Sequence, residues 1–116
     1  LNGNEDSTPA ERNWTVDDVP PQTTITDGPG GSSGDTVGSA PYDAMFIFES
    51  SEANSTFECK FTDPSEPAPD WVPCASAMVY PGLADGNYLF EVRATDAVGN
   101  QDVSPAIYSF SVMSIL

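Results

Sequence analysis

The residues with the clearest chemical potential carry oxygen ligands and lie near the C-terminus of the sequence. The segment DAVGNQD, residues 96–102, brings Asp96, Asn100 and Asp102 into one turn. Asp17 and Asp18 offer further carboxylates from a second segment. Calcium takes six to eight oxygen ligands from carboxylates, carbonyls and water, so these five residues form a candidate calcium site.

The same residues also have a purely structural interpretation. Asp and Asn side chains often accept hydrogen bonds from backbone amides two residues further on, which stabilises a turn without any metal. The spacing of Asp96, Asn100 and Asp102 matches no complete calcium loop and is not that of an EF-hand. The sequence therefore leaves two alternatives open, either no cofactor or calcium.

Catalytic machinery is not indicated. Histidine is absent, which removes the commonest general base, the commonest zinc ligand and the usual nucleophilic triads. Acidic pairs such as Glu49 and Glu52 are interpreted as solvated charges, because nothing indicates a cleft that would hold two carboxylates at a fixed separation. No glycine-rich loop opens a helix to cradle a phosphate. We expect a protein that is not an enzyme.

The charge balance limits the possible partners. The 116 residues include 18 acidic and three basic ones, which gives a net charge of −15. Nucleic acid is disfavoured because phosphate binding needs clustered Lys and Arg. The sequence has no apolar run of membrane-spanning length, so no membrane insertion is expected. The charge would attract divalent cations or basic partners, or it serves only solubility.

Two cysteines, Cys59 and Cys74, lie fifteen positions apart. This spacing is no zinc motif, since two ligands do not make a structural site. It suits one disulfide across neighbouring strands, which would stabilise the fold by about 3 kcal/mol in the chain-entropy model. A disulfide would place the protein in an oxidising compartment. Two buried free thiols are the alternative.

Short strands follow one another along most of the chain, and no segment has convincing helical periodicity. Strict alternation predicts that Phe57, Cys59 and Phe61 share one face of a strand. The same alternation predicts two further inward faces, formed by Tyr88, Phe90, Val92 and Ala94 and by Tyr108, Phe110 and Val112. Residues 28–41 are rich in Gly and Ser and predict a mobile loop, and the proline-rich residues 63–70 predict a turn. About seven strands at even spacing are typical of an all-β, Ig-like antiparallel β-sandwich. The predicted strands are 23–26, 44–50, 55–62, two short pieces around Cys74, 87–96 and 106–112.

One local motif sharpens the fold prediction. The segment GLADGNY places Leu83, Asp85, Gly86 and Tyr88 just before a strong strand. This is the pattern of a tyrosine corner, in which a Tyr hydroxyl bonds back to upstream backbone and fixes a crossover between sheets. We interpret Tyr88 as structural.

Several of these motifs together resemble bacterial Ig-like repeats of large secreted and cell-surface proteins, which are similar in fold to fibronectin type III modules. The resemblance rests on FECKF with its partner WVPC, on GLADGNYLFEVRATDAVGNQD and on the opening PPQTTI, and covers roughly residues 20–113. It implies that Cys59 and Cys74 are bonded and that the module is one of several in tandem. The segments 28–41 and 63–70 look longer than the simplest repeat needs, and extended loops often carry binding function.

An internal match supports the tandem interpretation. Residues 3–16, GNEDSTPAERNWTV, are identical to residues 99–112, GNQDVSPAIYSFSV, at six of fourteen positions. We therefore predict that residues 1–16 are the terminal strand of a preceding repeat, 17–21 a linker, 22–113 the Ig-like domain and 114–116 a tail. The two tryptophans, Trp14 and Trp71, are predicted to pack in the core rather than to serve as carbohydrate platforms.

The expected function is that of an extracellular or cell-surface module, a disulfide-pinned spacer or adhesive repeat whose partners are the neighbouring repeats of the same polypeptide. The alternative is a module that binds a carbohydrate or protein ligand through the loops 28–41 and 63–70. Exposed aromatic side chains in a groove would favour the alternative, and buried aromatic side chains under a polar surface would favour the spacer.

Overall fold

The computed structural model describes residues 19–63, 66–67 and 69–114. Within these ranges the chain forms eight strands and one short 3₁₀ turn, and no helix is long and apolar enough to cross a membrane. The 3₁₀ turn spans Pro29–Gly31. The strands are β1 Thr23–Asp27, β2 Asp35–Val37, β3 Tyr42–Ser50, β4 Thr56–Thr62, β5 Val72–Cys74, β6 Met78–Leu83, β7 Gly86–Thr95 and β8 Ala106–Val112.

The strands form two sheets. One has three strands in the order β1-β3-β6, and the other has five in the order β2-β8-β7-β4-β5. The neighbouring strands are antiparallel except for β2 and β8, which are parallel. Two such sheets bury their inner faces against each other, which confirms the all-β, Ig-like sandwich.

The core consists of alternate residues on the long strands, because successive side chains of a strand point to opposite faces. The rings of Phe46 on β3 and Phe90 on β7 stack across the two sheets with centroids 4.0 Å apart. The inward faces predicted for β7 and β8 are confirmed, and on β4 Cys59 is fully buried between the partly buried Phe57 and Phe61. The buried apolar residues of β7 and β8 are Tyr88, Phe90, Val92, Ala94, Tyr108, Phe110 and Val112.

The segment predicted as a mobile loop, residues 28–41, contains regular structure instead. It begins with the 3₁₀ turn and continues into β2, whose residues Asp35 to Val37 pair with Phe110 to Val112 of β8. The prediction missed β2 because three residues between glycines and serines are too few to show a period. The strand β2 raises the count from about seven to eight.

The prediction that Trp71 packs in the core is wrong. Its half-buried ring lies against the outer face of the five-stranded sheet, where the guanidinium carbon of Arg93 is 4.1 Å and the Lys60 amine 4.9 Å from the ring centroid. The two cations are held there by Glu58 and Glu91, with N–O distances of 2.8 and 3.7 Å. Trp14 lies outside the described residues.

Candidate binding cleft

Asp102, a predicted calcium ligand, holds the beginning of β1. One carboxylate oxygen accepts hydrogen bonds from the Thr23 amide at 2.9 Å and from the Thr23 hydroxyl at 2.7 Å. The other oxygen accepts the Ser104 amide at 2.8 Å. The Thr23 hydroxyl also accepts the Ala94 amide, so this buried carboxylate joins the two sheets where the chain enters the sandwich.

Asp96 organises the turn that follows β7. Its carboxylate accepts the amides of Val98 and Asn100 at 3.1 and 2.9 Å, and the Asn100 side-chain amide lies 3.1 Å from its second oxygen. This is the Asx-type arrangement that the sequence left open beside calcium. Asp17 and Asp18 lie outside the described residues.

Calcium therefore stays a prediction without structural support. In the described part of the chain, no three His, Cys, Asp or Glu side chains form a group that could hold a metal ion. The buried carboxylates of Asp96 and Asp102 already accept hydrogen bonds from the chain itself, so a cation would have to compete with these donors.

Tyr88 has the geometry expected of a tyrosine corner. Its hydroxyl donates to the carbonyl of Ala84, four residues upstream, at 2.6 Å. Leu83 ends β6 and Gly86 begins β7 on either side of this crossover. Asp85 has a further contact that the sequence did not predict, because its carboxylate accepts both the amide and the hydroxyl of Ser114, the hydroxyl at 2.9 Å.

The disulfide between Cys59 and Cys74 is confirmed. The S–S distance is 2.02 Å and the two Cα atoms are 5.8 Å apart. The bond joins β4 to β5, the three-residue strand at one edge of the larger sheet. It therefore holds this short edge strand to the core, since the Cys59 side chain is completely buried.

The two loops proposed for ligand binding do not form one site. Residues 28–41 lead to β2 at one edge of the five-stranded sheet, whereas residues 63–70 connect β4 to β5 at the opposite edge. Three strands separate these edges. The first loop, residues 28–41, borders a cleft.

This cleft lies between the two sheets on the side where β1 and β8 face each other. It has a volume of about 360 Å³ and is lined by residues 23–27 of β1, 31–33 of the loop and 106–108 of β8. That volume is at the lower end of the range of small-ligand pockets, roughly 300–1,000 Å³. The chain crosses here from the three-stranded sheet, where β1 pairs, to the five-stranded sheet, where β2 pairs.

Tyr108 fixes the loop that borders the cleft. Its buried hydroxyl donates to the carbonyl of Pro29 at 2.7 Å. Gly28 lies flat on the ring, because a Cβ atom at that position would be 2.6 Å from the ring carbon that bears the hydroxyl. Burial raises the pKa of the Tyr108 phenol, and the nearby carboxylates of Asp35 and Asp27 raise it further. The neutral phenol is thus the form that donates.

The rest of the loop is held by its own polar groups. Asp35 accepts the Ser32 amide at 3.1 Å. The Gly34 amide donates to the carbonyl of Ser109 at 2.7 Å, and the Ser109 amide donates to the Ser33 hydroxyl at 3.1 Å. The cleft therefore has an ordered wall of hydroxyl and backbone groups, which suits a ligand that forms hydrogen bonds.

Sequence reasoning identified the loop but missed the cleft. The signal in the sequence was the run GPGG followed by DTV, a turn that leads into β-branched residues. No local pattern reveals that residues 23–27 and 106–108 are neighbours, because about eighty residues separate them in the chain.

Comparison with known proteins shows similarity of structure alone. No protein-family model and no curated protein matches the sequence. Two solved structures are extracellular domains from B. thetaiotaomicron, of the putative one component system and the putative hybrid two component system BT4673. They have TM-scores of 0.56 and are 14% and 15% identical over 72% and 93% of this chain. The chain spans only 12% and 16% of their lengths.

A third structure, CopC from Methylosinus trichosporium OB3b, has a TM-score of 0.54 and 16% identity over 82% of this chain and 97% of its own length. At such identities the likeness is one of fold. The disulfide and the likeness to extracellular domains are consistent with an extracellular domain, and the fold shared with these structures is a β-sandwich.

Proposed function

We propose that this chain is a non-catalytic, extracellular β-sandwich module that acts as a rigid spacer within a longer secreted or cell-surface protein. The observation that carries the proposal is the position of the two points where the chain enters and leaves the sandwich. These points lie at opposite ends of β7, so the module extends the polypeptide by its full length.

The strand pairings fix this arrangement. Thr23 contacts Asp102 and Ala94, beside the last residues of β7. Ser114 contacts Asp85, directly before the first residue of β7. Because β7 has ten residues and a strand rises about 3.3 Å per residue, the two points are about 30 Å apart. We call them the N-terminal and C-terminal ends of the sandwich.

Both ends are held to the sandwich by hydrogen bonds, which is what a rigid connection requires. At the N-terminal end Asp102 accepts the amide and the hydroxyl of Thr23. At the C-terminal end the Ser114 hydroxyl donates to Asp85 and accepts the Ala40 amide at 2.9 Å. The chain therefore cannot swing freely about its first or last strand.

Exposed apolar side chains at the N-terminal end support a place in an array. Val98 and Val103 are 68% and 85% exposed in the turn region after β7. They lie at the same end of the sandwich as Thr23, the first residue of β1, and a preceding repeat would adjoin the module at this end. We propose that neighbouring repeats of the same polypeptide are the main partners of this module.

A distance measurement tests the spacer role. Spin labels on non-canonical amino acids at positions 19 and 113, both exposed, should give one narrow distribution centred between about 30 and 45 Å, because the four residues from Val19 to Thr23 add up to about 13 Å to the span. Asp85→Ala removes the acceptor for Ser114 and should broaden the distribution. Asp43→Ala, which removes an acceptor for the Gly82 amide at the same end of the sandwich but leaves the Ser114 contacts in place, is the matched control and should not.

A broad or multiple distribution in the unsubstituted protein would contradict the spacer role. A distance much below 30 Å would contradict it as well, because the two labels would then lie at the same end of the sandwich.

A second role, the binding of a peptide or carbohydrate ligand, has one specific observation in its favour. The loop 28–41 borders the cleft between β1 and β8, whose walls offer hydroxyl and backbone groups. The aromatic rings give less support to a carbohydrate, because the Tyr108 ring is covered by Gly28 and the Trp71 ring by Arg93. A sugar ring that packs its C–H face on an aromatic ring would need such a face to be open.

A further inference from the structure

We propose that the cleft between β1 and β8 binds an extended, basic peptide segment of another protein through backbone hydrogen bonds to Ile25 and Ile107. The inference deepens the binding role and goes beyond the spacer role, whose failure would leave it intact. It rests on which backbone groups the strands leave open, and on the charge around them.

The wall formed by β8 has an open backbone position at Ile107. Ser109 directs its amide and carbonyl away from β7, toward Ser33 and Gly34. In an antiparallel pair, every second residue directs its amide and carbonyl to the same side of the strand. The backbone groups of Ile107, two residues before Ser109, therefore also point away from β7. The parallel partner β2 pairs only from Phe110 onward. Among the described residues, Ile107 therefore has no strand on its outer side.

The opposite wall has an equivalent position at Ile25. Gln22 directs its carbonyl toward β3, where it accepts the Ser51 amide at 2.9 Å. Thr23 directs its amide the other way, to Asp102. By the same alternation, the backbone amide and carbonyl of Ile25 point away from β3 and toward the cleft. Asp102 closes this edge at Thr23, and Ile25 is the next open position along it.

Open strand edges are the usual place where an extended peptide adds to a sheet. Unpaired amide and carbonyl groups there act as a template for another strand, and alternate side-chain sites provide selectivity. Proteins commonly guard such edges with proline or lysine, and neither occurs in β1 or β8. Ile107 instead exposes 58% of an apolar side chain beside its open backbone groups.

The charge around the cleft determines the kind of peptide. Among the described residues, none that lines the cleft is basic, and the exposed Asp27 is acidic. The two described cations, Lys60 and Arg93, lie on the outer face of the larger sheet in ion pairs with Glu91 and Glu58. With a net charge of −15, the protein attracts a basic segment and repels a second copy of itself.

Binding is tested on the full disulfide-bonded chain with three ten-residue probes. The first alternates valine and lysine, the second replaces each lysine by glutamate, and the third keeps the lysines but carries N-methyl groups on alternate backbone amides. At low salt we expect the first probe to bind and to slow amide hydrogen exchange at Ile25 and Ile107. The N-methylated probe should bind at least tenfold more weakly, and the glutamate probe should show no binding.

Two substitutions locate the site. Ile107→Lys adds a positive charge at an exposed position of β8 and should weaken the valine–lysine probe at least tenfold. Val72→Lys makes the same kind of change at an exposed position of β5, at the opposite edge of the sheet, and is the matched control that should change affinity little. Thermal unfolding midpoints within a few degrees of the unsubstituted protein would show that both variants are folded.

Three outcomes would overturn the proposal. Equal binding of the N-methylated probe would mean that charge alone attracts the peptide. Absence of exchange protection at Ile25 and Ile107 at millimolar probe would mean that the edges do not accept a strand. Saturable binding of an oligosaccharide at these amides, without binding of the first probe, would assign the cleft to a carbohydrate.

Discussion

The two edges of the five-stranded sheet differ in how well they are protected from pairing with another strand. At one edge, β5 is a three-residue strand with Pro73 at its centre, tied to β4 by the Cys59–Cys74 disulfide. At the other, β8 is covered by β2 only from Phe110 onward, and Ile107 faces the cleft with its backbone groups open. One edge is closed by covalent and steric means, and the other is left partly open beside a structured loop.

This difference between the edges indicates which part of the sheet stabilises the fold and which part has backbone groups available to a ligand. Proline and a short length prevent an edge from pairing with another chain. Near the closed edge, the half-buried Trp71 lies beneath Arg93 on the outer face of the sheet. The two described cations, Lys60 and Arg93, both contact this ring and form ion pairs with glutamates. The cleft side has neither protection, which is why our proposed peptide-binding site lies there, whereas we expect the β5 side to contribute mainly to stability.

The largest expected effect is at the closed edge. Replacing Cys59 and Cys74 together by alanine should lower the free energy of unfolding by about 3 kcal/mol, because the unfolded chain regains the entropy of an open loop. Urea denaturation of the variant, beside the unsubstituted protein with and without reductant, measures this loss. A loss below 1 kcal/mol would show that β5 does not depend on its covalent bond, and the contrast between the edges would weaken.

The next effect is at the loop that borders the cleft. Gly28→Ala places a Cβ atom 2.6 Å from the Tyr108 ring, and the resulting shift should cost about 1–3 kcal/mol. Gly38→Ala is the matched control in the same segment, because its Cβ would meet only the Met113 carbonyl at an ordinary 3.5 Å. Equal denaturation midpoints for the two variants would mean that the loop does not need its close approach to Tyr108.

A smaller loss of stability is expected when either of the two tyrosines that hold loops, Tyr108 and Tyr88, loses its hydroxyl. Tyr108→Phe removes the buried hydrogen bond to the Pro29 carbonyl and should cost about 1 kcal/mol. Amide exchange should quicken in residues 28–34 while the region around Ala84 stays protected. Tyr88→Phe, which removes the bond to Ala84, should give the reverse pattern. Uniform loss of protection in both variants would refute the separate anchoring.

The same pair of variants carries a pH dependence. Burial raises the pKa of both phenols, so the folded state favours the neutral form while the unfolded chain ionises near pH 10, the ordinary value for tyrosine. Stability should therefore be complete below about pH 10 and fall as the pH rises further. Each substitution by phenylalanine should lessen that alkaline loss, as measured by urea denaturation between neutral and strongly alkaline pH.

The smallest expected effect concerns the outer face at the closed edge. Arg93→Gln removes the cation over Trp71 and the ion pair with Glu58, and should cost about 0.5 kcal/mol, because partly exposed interactions of both kinds are weak. Lys60→Gln is the comparison, and its longer contacts predict a still smaller loss. Urea denaturation would contradict this ranking if the Lys60 variant were the less stable of the two.

Much of the fold followed from local patterns. The strand over residues 106–112 and the inward faces of Tyr88 to Ala94 follow from a period of two, since a strand between core and solvent needs apolar residues at alternate positions. The cysteine spacing favoured a bond between neighbouring strands, and the structure has that bond. These features depend on neighbours that lie close in the sequence.

The candidate site followed much less. Residue type makes Asp102 a candidate metal ligand, but it gives no indication of the two hydrogen bonds by which Asp102 holds Thr23 in the structure. The position of Trp71 beside the cysteine loop predicts a place in the core, yet the cations of β4 and β7 hold its ring on the outer face. In both cases the partners are distant in the sequence, and residue type alone does not specify them.

The sequence by itself determined that this chain is acidic and forms a β-sandwich, because alternation, turn residues and charge act locally or sum over the whole chain, and it favoured the disulfide that the structure contains. Only the tertiary structure decided that the chain crosses from the three-stranded sheet after β1 to the five-stranded sheet at β2, beside β8, and that a cleft opens between Ile25 and Ile107. Pairing between strands some eighty residues apart decides which edges are covered, and no pattern within either strand records it.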